Sequence, residues 1–227
     1  MTRLATPLLS RRTALVLPAL LALAPAFAQE SKPAEAKPVA AATPAGDPKD
    51  LNTPGPLGDR VLGNADAPVT VVEYASFTCS HCANFHENTF PTLKEKYIDT
   101  GKVRFIYREF PLDPLSTAAS MLARCAPEPR FFPMASVFFK QQRQWAGSDK
   151  PLDELLAIAR QAGFSKESFE ACLNNKEVFN GLNEQKKRAV DFHKVDSTPS
   201  FFVNGQLLRG DTAFDEMAKV IEAKLKK

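Results

Sequence analysis

Cysteine, histidine and tryptophan are scarce in this sequence, and neither sign of charge much outweighs the other. Four cysteines among 227 residues are too few for a mini-protein stapled by disulfides, so a hydrophobic core must do most of the stabilising. The formal net charge is only +3, and Arg3, Arg11 and Arg12 account for it, because the first 28 residues contain no acid. Removing those three from the 29 Lys and Arg leaves 26 against 26 Asp and Glu. A nucleic-acid footprint needs a clustered basic surface, and a neutral remainder gives no reason to expect one. Past the N-terminus no second long apolar run exists, which excludes a multi-span membrane protein. The 44% hydrophobic content is that of an ordinary globular protein.

What is present begins with a targeting segment. Residues 1–28 read as a secretory signal: Arg3, Arg11 and Arg12 form a positive region, Thr13 to Ala24 an apolar stretch, and Ala26-Phe27-Ala28 a small-residue cleavage site. The apolar stretch is shorter than the roughly 20 residues that span a bilayer. An uncleaved anchor is the alternative. Ser10-Arg11-Arg12 leaves both Sec and twin-arginine export open. Export implies a compartment outside the cytoplasm, in which disulfides persist. Residues 29–56 are rich in Ala, Pro, Lys, Asp and Glu and nearly without large apolar side chains. Such a stretch cannot bury enough surface to offset its ordering entropy, and reads as a flexible linker. The folded unit is then residues 57–227.

Within that unit the order of elements is informative. Val69 to Tyr74 is rich in β-branched residues and reads as a buried strand. A helical segment from Cys79 to Tyr97 should break or kink near Pro91, which has no backbone donor. Val103 to Arg108 reads as a second strand, so a right-handed β-α-β crossover with a parallel pair is expected. A long helical stretch, about 114–194, follows. In it Leu152, Leu155, Leu156, Ala159 and Ala162 share a helix face that Gly163 ends. Asn204-Gly205 between Phe201–Val203 and Gln206–Arg209 predicts a tight hairpin. The last helix carries Thr212 and Asp215 at capping-box-like spacing. The sum is an α/β fold, β-α-β, a helical insertion, then β-β-α.

Cys79-Ser80-His81-Cys82 carries the chemistry. It follows a strand and opens a helix, and cysteines three positions apart on a first turn can reach disulfide distance. Cys79 sits where free backbone N–H groups and the helix dipole favour an anion, and the thiolate is the attacking species. A protonated His81 would add positive charge beside it. Stabilising the reduced form in this way makes the disulfide more oxidising. Redox exchange through Cys79, with Cys82 resolving, needs no metal and no organic cofactor. An inert short-range disulfide is the bland alternative, and a zinc site would need further ligands at recognisable spacing.

The stretch Val69 to His86, VTVVEYASFTCSHCANFH, together with Thr198-Pro199, resembles the DsbA-like branch of the thioredoxin superfamily. The resemblance covers about residues 57–227. It implies a thioredoxin fold with an inserted helical domain and a thiol:disulfide oxidoreductase activity. It also implies a cis peptide before Pro199, with Thr198 lying against the cysteines and receiving substrate backbone beside Ser80. By itself the sequence leaves an ordinary trans proline open. Members often have an acid at the position of Glu73 that assists proton transfer near the second cysteine; an exposed edge glutamate is the other reading. Some relatives partner that acid with a lysine in the next strand, and Val103 to Arg108 contains none. His86 and His193 read as surface or packing residues, and Phe77 and Phe85 as core or as substrate surface.

Cys125 and Cys172 remain. Both lie in apolar helical stretches, and an even count leaves them to bond each other; two buried free thiols are the alternative. Some relatives carry such a second disulfide. The function expected is introduction of disulfides into folding exported proteins, with reoxidation by a membrane partner of the DsbB type. An isomerase or reductase is the near rival, and a chaperone-like module with an incidental disulfide the distant one. Isomerases of the superfamily commonly dimerise through an extra N-terminal domain, and the polar tail here favours a monomer.

Overall fold

The computed structural model describes residues 51–226. The expected signal segment, and the linker as far as residue 50, lie outside them. Five strands form one mixed sheet in the order β1-β3-β2-β4-β5. They are β1 (Arg60–Leu62), β2 (Val69–Ala75), β3 (Val103–Glu109), β4 (Ser200–Val203) and β5 (Gln206–Arg209). β2 and β3 are parallel, as the intervening helix requires, and every other pair is antiparallel. Asn204 and Gly205 make the tight turn between β4 and β5, both with positive φ (44° and 81°), the conformation that favours Asn-Gly. β1 has no counterpart in the sequence reading. Three residues are too short for periodicity to register, and edge pairing with β3 defines the strand.

Helix α1 spans residues 80–98 and connects β2 to β3. It is not broken at Pro91. The turn Phe85–Thr89 just before it is π-helical, with the Phe90 N–H reaching back to Phe85 O. Widening the turn there accommodates the proline ring without ending the helix. Six helices then lie between β3 and β4: α2 (Pro114–Cys125), α3 (Phe131–Lys140), α4 (Gln142–Ala146), α5 (Pro151–Gln161), α6 (Lys166–Leu173) and α7 (Lys176–Asp191). α5 ends where expected: Gly163 has φ +92°, and the N–H groups of Gly163 and Phe164 bond back to Arg160 and Ala159. Its apolar face starts at Leu155, because Leu152 in the first turn is half exposed. The last helix, α8 (Phe214–Leu225), lacks the expected capping box. Its N-cap is Ala213, which puts Asp215 one position too early, and the Thr212 hydroxyl donates to Gly210 O instead. Among the described residues no helix is long and apolar enough to cross a membrane.

Strand alternation sorts the sheet into two faces. Val69, Val71, Ala75, Val103, Phe105, Tyr107, Phe201 and Val203 face the main core, which also holds α1, the insertion helices and α8. Val72, Tyr74, Ile106 and Phe202 face a smaller core with Ala189 and Val195. Leu51 belongs to that second core and is buried, so the packed unit starts upstream of residue 57. The reason is backbone, which composition does not report: the Arg108 guanidinium donates to the carbonyls of Leu51 (2.9 Å) and Thr53 (3.0 Å) while paired with Asp59.

Candidate active site

The loop Ser76–Cys79 leaves the C-terminal end of β2 and is held by the insertion. Ser116 Oγ lies 2.7 Å from Ser76 Oγ and accepts from Phe77 N–H at 3.1 Å. Asp113, the N-cap of α2, accepts from Ser116 N–H with one oxygen and from the Thr78 hydroxyl with the other. From α4, the buried Gln142 amide donates to Phe77 O (2.8 Å) and Cys79 O (2.9 Å). None of these partners was legible in the sequence, although Asp113-Pro114 is an N-cap signature.

Cys79 is the N-cap of α1, half-buried, and Cys82 lies one turn on, fully buried. Both are free thiols. The Cys79 Sγ–H donates to Thr198 O at 3.3 Å. Its pKa is lowered to about 5, chiefly by a hydrogen bond from Cys82, with help from the Thr198 hydroxyl and the N–H groups of Cys82 and His81. The Thr198 hydroxyl is buried and has no hydrogen-bond partner, so a thiolate at Cys79 would be the acceptor it lacks. Cys82 is displaced the opposite way, well above the usual thiol range, by burial, by its bond to Cys79 and by the charge of Glu73. Two like side chains therefore hold their protons very differently.

The Thr198–Pro199 peptide is cis, and both residues are buried beside the cysteines. Ser80 and His81 are exposed on the first turn of α1. Glu73 is not an edge residue: it is fully buried in the central strand, registered against Tyr107 on one side and Phe201 on the other. The residue registered against Glu73 on β3 is Tyr107, a buried phenol whose hydroxyl has no hydrogen-bond partner. Glu73 takes its partner from α1 instead. His86 Nε2 lies 2.9 and 3.1 Å from its two oxygens. A buried carboxylate needs a partner, and position 86 lies one helical turn beyond Cys82 on the same face, but the sequence alone does not join the two. His193 is equally buried but bonds the Tyr74 hydroxyl (2.7 Å) on the other face of the sheet. Phe77 and Phe85 are wholly buried and serve packing, not a substrate surface. Cys125 and Cys172 are joined by a disulfide between α2 and α6. No group of three or more His, Cys, Asp or Glu among the described residues is placed to hold a metal.

A family model described as Thioredoxin matches residues 57–223. The crystal structure of alpha-DsbA1 from Wolbachia pipientis superposes with a TM-score of 0.73 at 32% identity, covering 79% of this chain and 96% of that one. The chain belongs to the DsbA-like branch of the thioredoxin superfamily. This DsbA-like chain is also 40% identical over 148 residues to a putative protein-disulfide oxidoreductase of Rickettsia typhi, covering 65% of this chain. The match spans just over half, 55%, of that relative's length. A probable disulfide bond formation protein D of Bacillus cereus is 33% identical over 172 residues, 73% of this chain and 78% of that protein. The β-α-β, insertion, β-β-α order is thus the thioredoxin-type α/β fold of the DsbA-like proteins.

Proposed function

We propose that the chain is an exported thiol:disulfide oxidoreductase that passes the Cys79–Cys82 disulfide to folding proteins. The observation that carries this reading is the opposed ionisation of the two thiols, Cys79 near 5 and Cys82 far above it. In the oxidised protein a substrate thiolate attacks Cys79 Sγ, and the disulfide breaks with its electron pair going to Cys82, which takes up a proton. A second substrate thiolate then attacks the substrate sulfur of the mixed disulfide. Cys79 leaves as a thiolate that needs no proton at neutral pH. The substrate is oxidised by two electrons and the protein is reduced by two. A good leaving group at Cys79 and a stabilised reduced state both favour oxidation of the substrate.

Thr198 and the loop at Pro199 flank Cys79 and would receive the substrate backbone. Ser80 and His81, exposed beside the nucleophile, would meet the substrate first. Buried Glu73 would take the proton of Cys82 during resolution. Residues 1–28 supply the export signal to the periplasm, and a membrane redox partner of the DsbB type would return the enzyme to its disulfide form. The test is the reduction potential of Cys79–Cys82 against a glutathione buffer. A value near about −120 mV is expected of an oxidase; about −270 mV, typical of a reductant, would contradict it in favour of an isomerase or reductase.

A further inference from the structure

Resolving a mixed disulfide moves a proton as well as electrons. During reoxidation Cys79 Sγ is first joined to an external sulfur. Cys82 must then lose its proton before its sulfur attacks Cys79 Sγ and expels the external thiolate. The reverse step, in which Cys82 leaves, needs a proton back. Cys82 and Glu73 are both fully buried, so neither exchanges with water across its own surface. A third group must touch both the interior and the solvent.

His86 does both. Its imidazole is stacked on Phe139 from α3, centroids 4.1 Å apart and planes within 11°, with Nε2 held on the Glu73 carboxylate. His86 also lines a surface groove of about 560 Å³ between α1 and α3, with Asn88, Pro91, Ser136 and Lys140. Some 7% of the His86 side chain is exposed, against none of Glu73. Nδ1 makes no hydrogen bond to any described residue. The ionisable groups around the ring are Glu73 from β2, Tyr107 from β3, Glu87 beside it on α1, and Lys140 across the groove from α3. Tyr107 offers no rival route to solvent, because it is wholly buried.

We propose that His86 is the proton outlet of this site, positioning the Glu73 carboxylate and relaying the Cys82 proton through it to the solvent groove. Imidazole suits the task because it accepts on one nitrogen while donating from the other. The inference rests on the thiol–disulfide reading above. It makes His86 a positioning and relay residue that acts through Glu73, not one that touches the reacting sulfurs.

The test mixes reduced protein with oxidised glutathione, quenches with acid at intervals, and quantifies the glutathione adduct on Cys79 by mass. His86→Gln keeps a donor toward Glu73 but has no second ring nitrogen. It should form the adduct as the unaltered protein does, and resolve it about 10-fold or more slowly, the scale of a lost acid–base relay. Its resolution rate should also lose the dependence on pH that the unaltered protein shows. His86→Ala leaves an imidazole-sized hole beside the groove, and added imidazole should restore resolution, with more basic substituted imidazoles acting faster. Resolution by His86→Gln at the unaltered rate and pH profile would overturn the proposal. So would a folded His86→Ala protein that imidazole does not rescue. If oxidised glutathione yields neither a Cys79 adduct nor the Cys79–Cys82 disulfide in the unaltered protein, the thiol–disulfide reading itself is overturned instead.

Discussion

Cys79 and Cys82 lie three residues apart at the start of α1 and are free, whereas Cys125 and Cys172, 47 residues apart in sequence, are bonded. Their placement on the helices differs as much as their state. Cys79 caps an N-terminus, where backbone N–H groups and the dipole stabilise a thiolate. Cys125 is the last residue of α2 and Cys172 the next to last of α6, where the dipole has the opposite sign and no such donors are available. Cys172 Sγ lies against Met121 O, a carbonyl, which would repel an anion. One residue type is thus made labile at one helix end and inert at the other. Two buried glutamates on the main-core face repeat the lesson. Glu109 is bidentate with Arg124 (2.6 and 2.7 Å) and bonded by Gln185 (2.9 Å), a partner set fixed in charge. Glu73 faces a histidine, which can take or give a proton.

Breaking the two cysteine pairs should therefore have opposite consequences. Cys79→Ser should abolish oxidation of a reduced model peptide while leaving the protein folded. Replacing both Cys125 and Cys172 with Ala should leave oxidation intact and lower stability by about 3 to 4 kcal/mol, the chain-entropy value for a loop of this length, read from urea unfolding of the oxidised protein. Loss of oxidation in the double variant would erase the distinction.

A smaller effect separates the pairs by pH. In the reduced protein Cys79 ionises near 5 when folded and at the ordinary thiol value of 9 when unfolded. Between those values the unfolded chain holds the extra proton, so stability rises with pH; the contribution is complete above 9 and is lost as pH falls through about 5. The oxidised protein has no such thiol. Urea unfolding of the two forms should then show a difference that moves in favour of the reduced form between pH 5 and 9, and a constant difference over that range would contradict the Cys79 assignment. Smallest is Thr198→Val, which removes one donor to the thiolate. Thiolate absorbance of Cys79 should titrate about one pH unit higher, the worth of one hydrogen bond to a charged group.

Much of this was legible in the sequence because local rules acted alone. β-branched runs gave β2 and β3, Asn204-Gly205 gave the hairpin, and a C-x-x-C after a strand gave a cysteine at a helix N-terminus. What escaped depends on contacts distant in sequence. β1 exists only because β3 pairs with it, and the segment at Leu51 is held by arginines from β3 and α7. Pro91 predicts a break or a kink, and a π turn absorbs it within a continuous helix. Gln142 and Asp113 reach the active-site loop from the insertion, 63 and 35 residues away from their partners. His86 looked like packing because its partner, 13 residues back, is identified only when strand and helix are stacked.

The central claim is that exchange runs through Cys79 alone among the four cysteines. It is tested most directly by trapping with Cys82→Ser, which removes the resolving thiol. Incubated with a peptide disulfide, the variant should accumulate one mixed disulfide, mapped by mass to Cys79, with the Cys125–Cys172 bond intact. No adduct on Cys79, or adducts on Cys125 or Cys172, would contradict it.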